Sequence, residues 1–175
     1  MFVSPLLLLV SILIFLESGG PVFFRQQRGG LYGRPFIIYK FRTMSVMEDG
    51  ASITHAVRND PRVTRLGSLL RRSSVDELPQ LFNVLRGEMS LVGPRPHAIA
   101  HDFYYGSVLP DYRRRTLVKP GLTGAAQVSG HRGEIASLED MSKRVAHDLT
   151  YVDNWTPWLD YKLMILTIAK IPAGV

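Results

Sequence analysis

The 175-residue chain contains no cysteine. That absence excludes a disulfide scaffold, a thiolate zinc site and a thiol nucleophile together. No GxxxxGK[ST] loop, no GxGxxG after a strand and no HExxH helix occurs, so the common nucleotide cradles and the zincin site lack their motifs. Charge is missing from residues 1–16, and no acidic residue lies between Glu17 and Glu48. No lysine or arginine precedes Arg25 and no small-x-small cleavage site follows the apolar start, which argues against a secretory signal peptide. There is no internal repeat and no low-complexity tract.

What is present is 46% hydrophobic and 21% charged, enough for one packed domain. Lys plus Arg number 21 against 15 Asp plus Glu, a net charge of +6. The pI near 9.8 predicts an anionic partner: nucleic acid, an anionic membrane surface or a phosphorylated substrate. A nucleic-acid module would show a fold signature beside its basic patch. Only a lone Arg28-Gly29-Gly30 is found, so no nucleic acid is expected.

Both ends are apolar. MFVSPLLLLVSILIFL is short of the roughly 20 residues that cross a hydrocarbon core, and Ser4-Pro5 interrupts it. A segment dipping into one leaflet, a core helix and a clipped membrane span all fit. WTPWLDYKLMILTIAKIP sets Trp155, Trp158 and Tyr161 beside an apolar stretch bracketed by Lys162 and Lys170. It reads as an interfacial helix or as a buried one with snorkelling lysines.

Between the ends, PVFFRQQR, GGLYGRP and FIIYKFRTM read as strand, turn and strand, carrying Arg25, Arg28, Arg34, Lys40 and Arg42. MEDGASITHAVRNDPR is a polar loop. RVTRLGSLLRRSS has helical spacing, DELPQLFNVLRG starts another helix, and SLVGPRP is a turn. Residues 97–118 look mostly helical with a basic cluster at Arg113, Arg114 and Arg115; KPGLTGAAQVSGHRG is a loop; 138–154 is helical again. His97 and His101 form an i,i+4 pair with no third ligand in view, and are expected at the surface.

The adjacent carboxylates Asp76 and Glu77 are the candidates for chemistry. Ser74 and Glu77 fit a capping box, which would make them helix-terminal residues only. Against that stand Arg71 and Arg72 before the pair and Arg95 after it in a stiff Pro-Arg-Pro frame. A carboxylate can attack phosphorus when cations neutralise the phosphate oxygens, and the arginine fork suits that task. A Mg²⁺ ion would share it, since Mg²⁺ takes one or two protein carboxylates plus phosphates.

Three stretches carry a resemblance: PVFFRQQRGGLYGRPFIIYKFRTM, DPRVTRLGSLLRRSSVDELPQLFNVLRGEMSLVGPRP and VKPGLTGAAQVSGHRGE. They resemble the bacterial sugar transferases, the monotopic phosphoglycosyl transferases, from about Ser4 to Ile171. The resemblance implies an α+β, helix-rich single domain with a small β-hairpin and interfacial amphipathic helices. Residues 1–17 would be the C-terminal arm of a re-entrant membrane helix broken at Ser4-Pro5, and 18–175 the catalytic domain at the cytoplasmic face of the bacterial inner membrane. Only Met1, Phe2 and Val3 precede the break, where the family has a longer apolar arm, so a truncated helix is expected. The implied partners are a UDP-sugar, undecaprenyl phosphate and the membrane; a homodimer is compatible with them.

Position by position, the resemblance implies Asp76 as the nucleophile that releases UMP and forms an aspartyl phosphosugar. Glu77 would complete the dyad, supporting Mg²⁺ or activating the acceptor, and both carboxylates are the implied Mg²⁺ ligands. Arg71 and Arg95 match phosphate-binding arginines, and Lys40 and Arg42 match a basic strand beside the site. Gln127, His131 and Arg132 match a loop facing the nucleotide sugar. GLTGAAQVSGHRGE followed by DLTYVDNWTPWLD is most similar to members that transfer glucose-1-phosphate; galactose and N-acetylhexosamine are the alternatives. A basic membrane adaptor without catalysis is the competing class.

Overall fold

The computed structural model describes residues 4–45, 60–131, 135 and 137–170. Helix α1 (Ser4–Ser18) starts at the Ser-Pro pair, where a proline in the first turn forfeits no helical hydrogen bond. It runs unbroken to Ser18 and ends on Gly19 and Gly20, both at positive φ. Any break involving Ser4-Pro5 therefore concerns residues upstream, which lie outside the described ones. Val10 and Ile14 of α1 pack with Phe41 and Leu70, with Leu7, Val22 and Phe23 around them. Leu8, Leu9, Phe15 and Leu16 face outward. Among the described residues no helix is long and apolar enough to cross a membrane.

Strands β1 (Phe23–Gly29) and β2 (Pro35–Phe41) form the expected antiparallel hairpin, with Phe23 opposite Phe41 and Gly29 opposite Pro35. The turn between them holds Tyr32 and Gly33 at positive φ. The outer edge of β2 is satisfied by a side chain. Asn83, fully buried, accepts from the Tyr39 amide at 3.2 Å and donates to the Ile37 carbonyl at 2.7 Å. This clips the strand to the segment that follows the carboxylates.

Helix α2 (Arg65–Ser73) is capped by Thr64, whose hydroxyl accepts from the Gly67 amide at 2.9 Å. A Cβ on Gly67 would sit 2.2 Å from the Thr43 carbonyl oxygen, so only glycine lets α2 lie this close to the end of the hairpin. Ser74 terminates α2 in the left-handed region at φ 58. A short 3-10 turn, Val75–Gln80, then carries Asp76 and Glu77 into α3 (Leu81–Leu85). Pro79 lies inside that turn, where a looser hydrogen-bond pattern accommodates it.

The rest of the chain packs around a second small sheet. SLV, expected as a turn, is strand β3 (Ser90–Val92), and it pairs in parallel with β4 (Gly121–Thr123). A Cβ at Gly121 would stand 2.1 Å from the Gly93 amide nitrogen, so this contact is backbone against backbone. The 97–118 stretch is helical in two pieces rather than one: α4 (Ile99–Val108) and a 3-10 turn, Tyr112–Leu117. Pro110 cannot continue α4, and Asp111 turns the chain at φ 58. The short α5 (Ala125–Val128) follows β4.

Helix α6 (Leu138–Asp153) begins with a true capping box between Ser137 and Asp140. Its Met141 and Val145 pack on Tyr105 and Tyr112. Helix α7 (Pro157–Lys170) buries Leu163 beside Val92, Val128 and Tyr151. Its Trp158, Ile165 and Ile168 stay exposed. Fully burying one aliphatic side chain contributes about 1.5–3 kcal/mol, so the first cluster anchors α1 and α2 on the hairpin and the last anchors α6 and α7 on β3.

Candidate active site

The capping box expected at Ser74 is not formed. With Ser74 left-handed, its hydroxyl makes no cap bond and is buried without a partner, and only its carbonyl accepts from the Glu77 amide at 3.2 Å. The Glu77 carboxylate is directed elsewhere. Oε1 accepts from Lys40 Nζ at 3.0 Å and from Arg95 Nη2 at 2.5 Å, and Oε2 accepts from Arg95 Nη1 at 3.2 Å. Lys40 reaches it from β2 and Arg95 from the Pro94-Arg95-Pro96 segment after β3. Each element delivers one charge to one buried carboxylate.

Asp76 lies beside it, 8% exposed, and its Oδ1 has no hydrogen-bond partner. Burial first, and then the Glu77 charge, raise the Asp76 carboxyl above its ordinary value; Lys40, Arg95 and Arg71 oppose that rise. A buried carboxylate oxygen with no partner is costly unless a ligand or ion completes it. Among the described residues no group of three or more His, Cys, Asp or Glu forms a metal cage. The acidic side chains at the site are the two adjacent carboxylates, Asp76 and Glu77.

The cations differ in state. Burial drives the Lys40 ammonium down to about 8, with Glu77 pulling it back up. Arg95 is held further toward its charged form by Glu77, against the opposing effect of burial. Arg71 is fixed at the end of α2, its Nε donating to Thr43 Oγ1 at 2.9 Å. Arg42 is not brought to the carboxylates. It lies one residue past the last hairpin pair, and its Nη2 donates to Ser18 Oγ at 2.6 Å and to the Gly19 carbonyl. It caps the C-terminal end of α1, where carbonyls lack helical partners and a cation is favoured.

Gln127 and His131 line a small cavity with Arg95, Arg144 and Asp148, so the loop after β4 does meet the arginine that clamps Glu77. Arg132 lies outside the described residues. Arg144, which sequence reasoning missed, comes from α6. Burial, then Arg95 and other neighbours, lower its guanidinium to about 10, opposed by Asp148. His97, expected at the surface, is buried, with Nδ1 2.6 Å from Tyr112 Oη. Burial holds its imidazole neutral, aided by Arg115.

A family model described as bacterial sugar transferase matches residues 1–174. A UDP-glucose:undecaprenyl-phosphate glucose-1-phosphate transferase of Caulobacter vibrioides is 54% identical over 96% of this chain and 63% of its own length. The protein of the same name from Escherichia coli K12 is 51% identical over 97% of this chain and 37% of its own. A UDP-N-acetylgalactosamine-undecaprenyl-phosphate N-acetylgalactosaminephosphotransferase of Aeromonas hydrophila is 43% identical over 98% of this chain and 40% of its own. The chain thus spans between about a third and just under two thirds of these relatives. On the match along almost its whole length, the chain belongs to the bacterial sugar transferase family.

Proposed function

We propose that the chain transfers glucose-1-phosphate from UDP-glucose to undecaprenyl phosphate, with Asp76 as the nucleophile. The observation that carries this reading is the buried Asp76 Oδ1, left without a partner while its neighbour Glu77 is clamped by Lys40 and Arg95. An Asp76 oxygen attacks the phosphorus bonded to the sugar, and the bond from that phosphorus to the UMP oxygen breaks. UMP leaves, and the sugar phosphate stays on Asp76 as an acyl phosphate. A phosphate oxygen of the lipid then attacks the same phosphorus, giving undecaprenyl diphosphate glucose and restoring the carboxylate.

Glu77 serves this sequence by fixing two cations beside the nucleophile. Lys40 and Arg95 are placed to neutralise charge growing on the phosphate oxygens, and Arg71 adds to the same field. Asp76 and Glu77 are the residues that would hold Mg²⁺. A bound Mg²⁺ supplies further charge neutralisation at the phosphates. Gln127, His131 and Arg144 share the Arg95 cavity and are suited to a nucleotide phosphate. Arg132 is retained as a candidate on the sequence alone.

The glucose names of the more similar relatives support glucose as the sugar, the N-acetylgalactosamine relative being more distant. Exposed leucines on α1 and the Trp158, Ile165 and Ile168 face of α7 support seating on a membrane surface; the cytoplasmic face of the inner membrane follows from the family resemblance. The test is UMP release by the chain in undecaprenyl phosphate-containing nanodiscs with Mg²⁺, offered UDP-glucose, UDP-galactose and UDP-N-acetylgalactosamine in turn. UDP-glucose is expected to give the highest kcat/KM. No release from any of the three opposes the transferase reading and favours a basic adaptor.

A further inference from the structure

Arg95 sends its guanidinium to Glu77, but its backbone is gripped from the opposite side. Arg115 Nη2 donates to the Arg95 carbonyl at 2.7 Å. The same guanidinium donates through Nε to Asp148 Oδ2 at 2.8 Å, and its Nη1 stands 3.0 Å from His97 Nδ1. Three nitrogens of one side chain thus join the Arg95 segment, its downstream neighbour and α6. The Arg115 and Asp148 side chains are 4% and 2% exposed.

The neighbours reinforce the grip. Arg28 Nη1 donates to the Pro96 carbonyl at 3.2 Å, and the Gly29 amide donates to the His97 carbonyl at 3.1 Å. Three consecutive carbonyls, from Arg95 to His97, are each held by a donor. A buried ion pair is a weak source of stability, because desolvation offsets its attraction. Geometry is the better account of what this pair contributes. Only the planar arginine fork reaches all three partners at once; a lysine ammonium has the charge but not the shape. Of the basic run Arg113-Arg114-Arg115, only Arg115 is used this way: Arg114 makes a half-exposed pair with Asp153 at 2.7 Å.

We propose that Arg115, anchored by Asp148, is a positioning residue for Arg95: it fixes the Arg95 backbone so that the Arg95 guanidinium stays on Glu77 beside Asp76. The kinetic consequences rest on the transferase reading; the structural ones do not.

The test uses the full chain labelled with ¹⁵N-arginine, the Arg95 Nη signals being assigned by their loss in Arg95→Lys. The two-point contact with Glu77 should hold these signals apart in the wild type. They should merge by faster rotation in Arg115→Lys and stay apart in Arg114→Lys. In the transfer assay Arg115→Lys should lose about 100-fold in kcat, the scale of a small misplacement, with KM for the UDP-sugar changed by less than about threefold. Combining Arg115→Lys with Arg95→Lys should add less than about threefold, because both act through one group. Separate Arg95 signals in Arg115→Lys, or losses that multiply in the double variant, overturn the proposal. Should circular dichroism find Arg115→Lys unfolded, Asp148→Asn takes its place in the same comparison. A wild type inactive in transfer counts against the transferase reading, and the Arg95 signals then decide the role of Arg115 alone.

Discussion

Replacing Glu77 by glutamine removes the carboxylate charge to which Lys40 and Arg95 both donate, leaving only Asp76 beside them, and the structure sets the size of the effect. Glu77 is 3.0 Å from Lys40 and 2.5 Å from Arg95, with side chains 7%, 17% and 26% exposed respectively. Deleting one partner of a buried pair costs about 3–5 kcal/mol, because the other charge is left uncompensated. Lys40 and Arg95 keep some water, which selects the lower end, about 3 kcal/mol. That is about a hundredfold in the folding equilibrium, against a total of about 5–15 kcal/mol for a domain. The variant should stay folded at 25 °C with an earlier urea midpoint.

The same change acts on Asp76 with a definite sign. Burial is the main cause of its raised carboxyl, and the Glu77 charge is the next. Removing that charge lets Asp76 ionise at lower pH, so the acid limb of kcat/KM should move to lower pH even as the maximum falls. The assays are urea unfolding in detergent and a pH profile of kcat/KM for UMP release. An unchanged midpoint together with an acid limb that stays put, or moves up, refutes the reasoning.

Further predictions concern the surroundings. Lys40 has been driven to about 8, so kcat/KM should fall on the alkaline side as it loses its proton; Lys40→Arg, charged at any working pH, should remove that limb. An identical limb in the variant contradicts the assignment. Gly67→Ala would set a methyl 2.2 Å from the Thr43 oxygen, so overpacking should cost about 1–3 kcal/mol, read as a lower melting temperature. Leu16, 74% exposed on α1, should matter to the membrane and not to the core. Leu16→Asp is expected to weaken co-sedimentation with anionic vesicles by about tenfold or more, with the melting temperature unchanged. Equal binding by both proteins argues against that face as the anchor.

The hairpin, α2 and α6 were legible because their signals are local: alternation, helical spacing and glycine punctuation. Arg71 and Arg95 were picked out as the charges flanking the carboxylates in sequence, whereas Lys40, 37 residues from Glu77, was placed beside the site only through the family resemblance. The Ser74–Glu77 alternatives were not separable, since S-V-D-E satisfies a capping box as readily as a left-handed exit from α2. Only the backbone at Ser74 decides between them. Arg42 was expected beside the site from the resemblance of KFRTM to the family's basic strand; here the hairpin ends at Phe41 and the next side chain turns to the end of α1. Strands β3 and β4 are three residues each and pair across a long stretch of chain, so neither carries a periodic signal of its own. Arg115 was read only as part of a basic cluster, and Arg144 and Asp148 were not singled out at all; their burial depends on partners distant in sequence.

In the proposed mechanism Asp76 itself carries the sugar phosphate. The direct measurement is the intact mass and UMP yield of the chain incubated with UDP-glucose and Mg²⁺ in the absence of lipid acceptor. The account predicts up to one UMP per chain and a matching hexose-phosphate adduct that maps to Asp76, reversed by adding undecaprenyl phosphate. Asp76→Asn should give neither. Release of UMP only when the lipid is present, with no adduct at any time, or undiminished release by Asp76→Asn, would contradict it.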